Sequence, residues 1–128
     1  MKILLVDDSK LIRNNLSKLL HRLEGEIRLL EAHSMHSAVQ QLHIDQPDIV
    51  ILDLQLPDGT GFLILEHLRL QEETPLVFVL TNFPSPGNQK RCFELGAAGF
   101  FDKSRDFMDL IAAIQQEVEI NTETRRKK

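Results

Sequence analysis

The sequence contains one cysteine, Cys92, and neither tyrosine nor tryptophan. A single cysteine cannot form a disulfide within the chain, so nothing in the sequence requires an oxidising compartment. No apolar run approaches the roughly 20 residues that span a bilayer, and the N-terminus lacks the basic segment and long apolar stretch of a secretory signal. We therefore expect a cytoplasmic protein that neither spans nor binds a membrane.

The sequence also has few basic residues outside its C-terminus. The formal net charge is −4, from 15 basic and 19 acidic residues, and four of the basic residues form the terminal RRKK at 125–128. Without these four, 11 basic residues remain against 19 acidic ones, which gives a net charge of −8. Nucleic-acid-binding proteins usually carry a basic face, so we expect no direct binding to nucleic acid.

What the sequence does contain is a regular alternation of strand-like and helix-like segments. Apolar runs of strand length occur at 2–7, 26–32, 48–53, 75–81 and 99–103. Between and after these runs, apolar residues recur at intervals of three and four, as on one face of a helix. Five such β–α units predict an α/β fold, a doubly wound (βα)5 arrangement with helices on both faces of a parallel five-stranded sheet.

Residues 1–120 are predicted to form this single domain. The basic tail at 121–128 is expected to be disordered. Serine residues mark possible helix starts, and Ser9, Ser37 and Ser104 are candidate N-caps. Pro86 fits the first turn of a fourth helix, which Gly96 would end.

Polar residues stand where the predicted strands end. Asp7 and Asp8 follow the first strand, and Asp53 follows the third. Thr81 ends the fourth strand, and Lys103 ends the fifth. In open α/β sheets, ligands bind in the crevice beyond the carboxyl ends of the strands. The sequence therefore predicts that three carboxylates, a hydroxyl and an ammonium meet at one edge of the sheet.

Three carboxylates brought together repel one another. Two unit charges 4 Å apart cost about 4 kcal/mol at an effective dielectric constant near 20. Without compensation, one of the acids would have to take up a proton. A divalent cation removes the repulsion, and oxygen ligands suit Mg²⁺, which is usually held by one or two carboxylates together with waters and a phosphate.

A metal ion gives the other residues of this edge a chemical role. A carboxylate can attack phosphorus and form an acyl phosphate. Phosphoryl transfer depends mainly on positioning and on neutralising the equatorial oxygens, for which the Lys103 ammonium and the Thr81 hydroxyl are suited. Asp53 stands alone on its strand and is the candidate nucleophile, whereas the adjacent pair Asp7 and Asp8 suits the metal.

The motifs around these residues resemble those of the receiver domain of two-component response regulators, of the stand-alone single-domain type. They are LLVDDS, PDIVILDLQLPDGTGF, LT and GAAGFFDK, in the usual order and at the usual spacing over about residues 2–120. The resemblance implies a flavodoxin-like three-layer sandwich with strand order 2-1-3-4-5. It also implies that a histidine kinase or a histidine phosphotransfer protein phosphorylates Asp53.

By the same resemblance, Asp8 binds Mg²⁺ directly and Asp7 binds it largely through water. Asp53 and the backbone carbonyl of Gln55 supply further ligands, and Mn²⁺ can substitute for Mg²⁺. The family acts as a signalling phosphoacceptor rather than as an enzyme that turns over a substrate.

The resemblance also implies a switch. Lys103 pairs with the phosphoryl group, Thr81 shifts toward it, and the aromatic ring of Phe100 changes orientation. These changes alter the face formed by the fourth helix, the fifth strand and the fifth helix, where a downstream protein would bind. The protein is then expected to be a monomer or to dimerise on phosphorylation, with its output passed to another protein because the chain ends after its fifth helix.

Three positions depart from the usual family pattern. Ser104 follows Lys103 where proline is common, and since a cis bond without proline costs about 2.5–4 kcal/mol, we expect a trans bond there, with Ser104 capping the last helix. Asn82 replaces a small residue and would alter the lifetime of an acyl phosphate, in a direction that the sequence does not give. Phe100 lacks the hydroxyl of the commoner tyrosine, so any switching must act through packing.

Three other functions compete with this interpretation. A haloacid-dehalogenase-type phosphatase would need a second aspartate two residues after the nucleophile, where this chain has Gln55. A flavodoxin-like nucleotide binder would need a hydroxyl- or glycine-rich loop after the first strand, where Asp7 and Asp8 would repel phosphate. The third alternative is a receiver-like scaffold that acts without phosphorylation, and Asn82 and Ser104 leave it open.

Overall fold

The fold was analysed in a computed structural model, which describes residues 1–126. The strands are β1 (Lys2–Val6), β2 (Arg28–Ala32), β3 (Ile49–Leu52), β4 (Gln55–Leu56), β5 (Gly59–Thr60), β6 (Leu76–Thr81) and β7 (Gly99–Asp102). The helices are α1 (Lys10–Leu20), α2 (Met35–Asp45), α3 (Gly61–Arg69), α4 (Pro86–Glu94) and α5 (Phe107–Arg126).

Five of the strands form one parallel sheet in the order β2-β1-β3-β6-β7. The two short strands, β4 and β5, pair with each other as a separate antiparallel hairpin. When this hairpin is set aside, the order is the predicted 2-1-3-4-5. The doubly wound α/β fold expected from the sequence is therefore confirmed, with the hairpin as an addition that the sequence pattern did not show.

The sheet separates two hydrophobic cores, because successive side chains of a strand point to opposite faces. In β1, Leu4 and Val6 pack with residues of α2, α3 and α4, whereas Ile3 and Leu5 pack with residues of α1 and α5. All four of these side chains are buried. Strands covered on both faces explain the continuous apolar runs in the sequence.

Two of the predicted helix starts are correct in detail. Ser9 caps α1 through a bond from the Ile12 amide, and Pro86 is in the first turn of α4. Gly96 follows α4 with φ +97°, a left-handed conformation that favours glycine at a helix end.

Two predicted caps are wrong. The cap of α2 is Ser34, and Ser37 lies three residues later as its partner in a capping box. The last helix begins at Phe107, too far along the chain for Ser104 to cap it. The Ser104 amide and hydroxyl instead donate to Asp102 Oδ1, which closes a turn after β7.

The peptide bond after Lys103 has the predicted conformation. No peptide bond within residues 1–126 is cis, so the Lys103–Ser104 bond is trans as predicted. The tail differs from the prediction, because α5 continues through Arg126 instead of ending near residue 120. Thr122 Oγ1 donates to the Val118 carbonyl and Thr124 Oγ1 to the Ile120 carbonyl, so these polar side chains bond within the helix. Residues 127 and 128 of the expected tail lie outside the described residues.

Crossing a bilayer requires a helix that is both long and apolar. None of the five helices within residues 1–126 meets both conditions.

Gly61, the first residue of α3, fixes how closely this helix approaches the end of β3. A Cβ added at Gly61 would lie 2.5 Å from the backbone oxygen of Asp53. We expect Gly61→Ala to lower the free energy of unfolding by about 1–3 kcal/mol, because backbone atoms would have to move apart. Chemical denaturation followed by circular dichroism measures this change.

Gly87→Ala is the matched control for this substitution. Gly87 lies in α4 with nothing within 4 Å of an added Cβ. Alanine should leave stability unchanged or raise it by up to about 1 kcal/mol, as expected for a helical position. Equal effects of the two substitutions would contradict the close approach at Gly61.

Candidate functional site

The parallel sheet brings the predicted site residues to one edge. Val6 and Leu52 are register partners in β1 and β3, so Asp7 and Asp53 follow neighbouring strand ends. The Asp53 amide donates to the Val6 carbonyl at 2.9 Å, which continues the ladder one residue beyond β3. The two carboxylates therefore meet because two buried strands end at the same level.

Three carboxylates lie within reach of a single ion. Asp7, Asp8 and Asp53 each offer one oxygen, and these three oxygens are within 4.8 Å of one another. Asp7 and Asp53 are only 3% and 6% exposed, whereas Asp8 is exposed to solvent. The predicted convergence of the three acids is observed, with two acids buried and one facing outward.

Lys103 lies between the two buried carboxylates. Its Nζ is 2.6 Å from Asp7 Oδ2 and 2.9 Å from Asp53 Oδ2, and its side chain is only 6% exposed. Asp7 Oδ1 accepts from the Ser9 amide at 2.9 Å. Among the described residues, no buried side-chain nitrogen or oxygen lacks a hydrogen-bond partner. One ammonium thus compensates part of the charge of the acidic group.

Burial and mutual contact change the pKa values of Asp53 and Lys103. Loss of solvent raises the pKa of Asp53 above its ordinary value, although Lys103 opposes the shift. Burial acts against the charged form of Lys103 too, but hydrogen bonds to Asp7 and Asp53 outweigh it and raise the pKa of the ammonium. Lys103 is therefore held charged next to a carboxylate that is poorly hydrated.

Thr81 is fully buried beside this group. The Lys103 amide donates to its carbonyl at 2.9 Å, so the ends of β6 and β7 hold these two residues side by side. The hydroxyl oxygen of Thr81 accepts from the Phe83 amide at 3.0 Å. This bond connects the hydroxyl to the first residues of the loop before α4.

Gln55 and Phe100 are placed differently. Gln55 is exposed at the start of β4, and its amide makes a long contact of 3.4 Å with Asp53 Oδ1. Phe100 is half-buried in β7, where its ring packs against the core cluster on the α2–α4 face of the sheet. Phe100 is therefore placed where it can act through packing, and its change of orientation stays a prediction.

Arg13 is a site residue that the sequence analysis missed. Its Nη1 donates to the Asp7 carbonyl at 2.6 Å, and its Nε donates to Glu31 Oε1 at 3.1 Å. An arginine in the first turns of an amphipathic helix is typical of a solvated face. The available signal was its position four residues after the Ser9 cap, since helical side chains lean toward the N-terminus and so toward the strand ends.

The donor set suits a hard divalent cation. Carboxylate oxygens within 4.8 Å of one another match the ligand type and spacing that Mg²⁺ and Mn²⁺ use, and exposed Asp8 leaves the group open to solvent on one side. The buried Lys103 ammonium limits how much negative charge the ion would have to neutralise.

A doubly wound sheet with an acidic group at its carboxyl edge defines a class of α/β domains, and comparison with known proteins identifies the family. The family model described as "Response regulator receiver domain" matches residues 3–115. The chain belongs to this family, and it is a receiver domain of the two-component response regulators.

Three relatives illustrate the match. The chain is 32% identical over 115 residues to the DNA-binding transcriptional activator EvgA of Escherichia coli K12. The aligned region covers 90% of this chain and 56% of EvgA. The signal receiver domain of a DNA-binding response regulator (merR) from Colwellia psychrerythraea 34H superposes with a TM-score of 0.86 at 30% identity, covering 93% of this chain and 98% of that one. The Mn²⁺-bound form of response regulator Rcp1 superposes with a TM-score of 0.77 at 25% identity, covering 90% and 89%.

The extent of these matches differs between domains and whole proteins. The chain spans about half or less of the length of the first curated relatives it matches, 56% for EvgA and 30% for a protein-glutamate methylesterase/protein-glutamine glutaminase of Desulfotalea psychrophila. The activities of those longer proteins therefore belong to them, and only the receiver domain is shared.

The ion triad of Lys103, Asp7 and Asp53 predicts that removing the Lys103 ammonium lowers the stability of the fold. We expect Lys103→Met to lower the free energy of unfolding by about 3 kcal/mol in metal-free buffer, because it leaves Asp7 and Asp53 buried without a counter-charge. This is the low end for a broken buried ion pair, since one carboxyl can take up a proton. Urea denaturation with a chelator present measures the change.

Lys18→Met is the control, because Lys18 is exposed on α1. This substitution should change stability by less than about 0.5 kcal/mol, as for most surface positions. Equal stability of the Lys103→Met variant and the wild type would contradict the ion triad.

Proposed function

We propose that this receiver domain accepts a phosphoryl group on Asp53 from a histidine kinase or a histidine phosphotransfer protein, with Mg²⁺ as cofactor and Mn²⁺ as a substitute. The observation that carries the proposal is the geometry around Asp53. Its buried carboxylate lies 2.9 Å from the Lys103 ammonium and within 4.8 Å of oxygens of Asp7 and Asp8.

The reaction is a direct transfer between two groups. A carboxylate oxygen of Asp53 forms a bond to phosphorus, while the bond from phosphorus to the donor imidazole nitrogen breaks. The imidazole leaves with the electron pair of that bond and regains its neutral form by taking up a proton. The product is an acyl phosphate on Asp53.

The metal ion would be held by Asp7, Asp8, Asp53 and the backbone carbonyl of Gln55, and when bound it neutralises charge on the equatorial oxygens of the phosphoryl group. The residues of the chain supply the remaining functions. Lys103 is already placed at Asp53 and can pair with a second oxygen, and the Thr81 hydroxyl can donate to a third.

Asp53 suits the role of nucleophile better than its neighbours. Asp7 is bound more tightly than Asp53, because the Ser9 amide lies 2.9 Å from its Oδ1 and Lys103 Nζ lies 2.6 Å from its Oδ2, whereas the amide contact at Asp53 Oδ1 is a long 3.4 Å. Asp8 is exposed, so its carboxylate is well hydrated. Burial leaves the Asp53 carboxylate poorly hydrated, and less water has to be removed before it meets phosphorus.

The output of the domain passes through the face formed by α4, β7 and α5. Transfer to Asp53 adds a dianion beside Thr81, whose hydroxyl is bonded to the loop before α4. A shift of Thr81 changes the conformation of that loop. Phe100, which packs on the face of the sheet that α2, α3 and α4 cover, then adjusts its orientation. A downstream protein or a second phosphorylated copy reads the altered face, and no direct contact with nucleic acid is needed.

The domain acts as a signalling phosphoacceptor in the cytoplasm rather than as a phosphatase. The position two residues after Asp53 is Gln55, whose amide side chain is unsuited to acid–base catalysis on a phosphoester. The receiver domain comprises residues 1–120 together with the continuation of α5 to Arg126, and the acyl phosphate on Asp53 is the product of its reaction.

Intact-mass spectrometry after treatment with acetyl phosphate tests the proposal. We expect the wild type to gain one phosphoryl group when Mg²⁺ is present and none when it is chelated. Asp53→Asn should abolish the gain because the amide is not a nucleophile. Asp109→Asn, which changes an exposed aspartate in the first turn of α5, should leave it unchanged.

Two outcomes would overturn the proposed function. An equal gain in Asp53→Asn would place the phosphoryl group elsewhere. No gain from acetyl phosphate, together with none from a phosphorylated histidine phosphotransfer protein, would favour a scaffold that acts without phosphorylation.

A further inference from the structure

Two side chains from different parts of the chain cap the N-terminus of α2, the hydroxyl of Ser34 and the carboxylate of Asp58. The Ser37 amide donates to Ser34 Oγ at 3.1 Å, as in an ordinary capping box. The Met35 and His36 amides instead donate to the two oxygens of Asp58, at 2.7 and 2.9 Å. Asp58 is therefore bound at both carboxylate oxygens by a helix that lies more than 20 residues earlier in the sequence.

Asp58 is at the tip of the hairpin that follows Asp53. The hairpin pairs Gln55 with Thr60 and Leu56 with Gly59, which leaves Pro57 and Asp58 as its turn. Because the two strands have only two residues each, they bury little apolar area and gain little stability from their own pairing. The position of the hairpin depends on what it is attached to.

A second contact holds the hairpin against the same helix. The side chain of Met35 lies so close to Gly59 that a Cβ added there would be 2.5 Å from its Sδ. Beyond the hairpin, the Gly61 amide donates to the Leu54 carbonyl at 2.9 Å. The segment from Leu54 to Gly61 is thus a closed loop, joined to α2 at its tip.

The start of α2 is itself joined to the acidic group. Ala32 ends β2 two residues before the Ser34 cap, and its carbonyl accepts from the Asp7 amide at 3.1 Å. The end of β2 therefore positions both the backbone of Asp7 and the helix that binds Asp58. A rigid connection runs from the metal-ligand side of the site to the loop after Asp53.

Electrostatics favour this attachment. The first amides of α2 have no carbonyl partner within the helix, and they present the positive end of the helix dipole to the Asp58 carboxylate. Hydrogen bonds from the His36 and Met35 amides lower the pKa of this carboxyl below its ordinary value, so it remains charged at neutral pH.

We propose that Asp58 is a positioning residue, which anchors the hairpin after Asp53 to the N-terminus of α2 and so holds the Gln55 backbone carbonyl in place for the metal ion. This inference rests on the proposed function, since it assigns a support to one of the proposed metal ligands. Asp58 lies outside the acidic group of Asp7, Asp8 and Asp53, and it is not proposed as a ligand. In its absence, the hairpin would keep its two-residue strand pair, the Gly61–Leu54 bond, the packing of Met35 against Gly59 and the 3.4 Å contact to Asp53, but no charged hydrogen bond to α2.

Asp58→Ala tests the anchor, and Ser34→Ala is the matched control. Both substitutions remove hydrogen-bond acceptors from the N-terminus of α2, but only the first removes the hydrogen bonds between α2 and the hairpin. Asp58→Asn keeps one oxygen that can accept a single amide, and should give an intermediate result. Each variant is studied at a temperature where circular dichroism shows it to be folded.

The first measurement is amide hydrogen exchange without metal. We expect the Gly61 amide, which donates to the Leu54 carbonyl at the base of the hairpin, to exchange faster in Asp58→Ala than in the wild type and to be unchanged in Ser34→Ala. The amides at the start of α2 should exchange faster in both variants. Equal protection of the hairpin in Asp58→Ala and the wild type would overturn the anchor.

The second measurement is Mn²⁺ binding, followed by the loss of the free-ion electron paramagnetic resonance signal. The dissociation constant should rise about tenfold in Asp58→Ala, the lower end for residues that support metal ligands, and should stay at the wild-type value in Ser34→Ala. An unchanged constant in Asp58→Ala, or an equal rise in Ser34→Ala, would overturn the inference and leave the proposed function intact. A wild type that binds no Mn²⁺ would overturn both the proposed metal site and the role of Asp58 in it.

Discussion

The ion triad of Lys103, Asp7 and Asp53 is the constraint around which the rest of the site is arranged. Each carboxylate follows a strand covered on both faces, so it lies where water is scarce, and Lys103 reaches both from the end of β7. Buried charges require partners, and the partners fix the relative positions of three strand ends. The same arrangement keeps one carboxylate oxygen beside an ammonium, which is the geometry that a transferred phosphoryl group needs.

The sequence predicted the fold and the members of this triad because both follow from local patterns. Apolar runs located the strands to within two residues, and a parallel sheet must bring the ends of its strands to one edge. The residues just after those runs, such as Asp7, Asp53 and Lys103, were therefore identifiable before their distances were known. What the pattern could not supply was which oxygen faces which nitrogen, because this depends on how side chains pack.

Features that depend on distant neighbours were not predictable in the same way. Ser37 and Ser104 are of a residue type that often caps helices. The start of α2 is nevertheless set by the contacts of Ser34, and the start of α5 by the turn that Asp102 makes. Asp58 reads locally as a turn residue in PDG, and its attachment to α2 is visible only in three dimensions. Tertiary contacts decide these details, whereas strand burial decides the framework.

The two sides of the site differ in how firmly they are held, and this difference gives a direction to the proposed switch. On the β2 and α2 side, Arg13 and Asp58 tie the strand ends and the hairpin to neighbouring elements through charged hydrogen bonds. On the β6 side, the loop at 82–85 is exposed, and hydrogen bonds at Thr81 Oγ1 and from the Asn88 side chain to the Phe83 carbonyl hold it. A new charge on Asp53 meets fixed groups on one side and a loop with few buried contacts on the other, and segments of the second kind open at the lowest free-energy cost. Under the proposed function, movement would therefore follow Thr81 toward α4, and the hairpin would remain in place to keep the proposed metal ligands together.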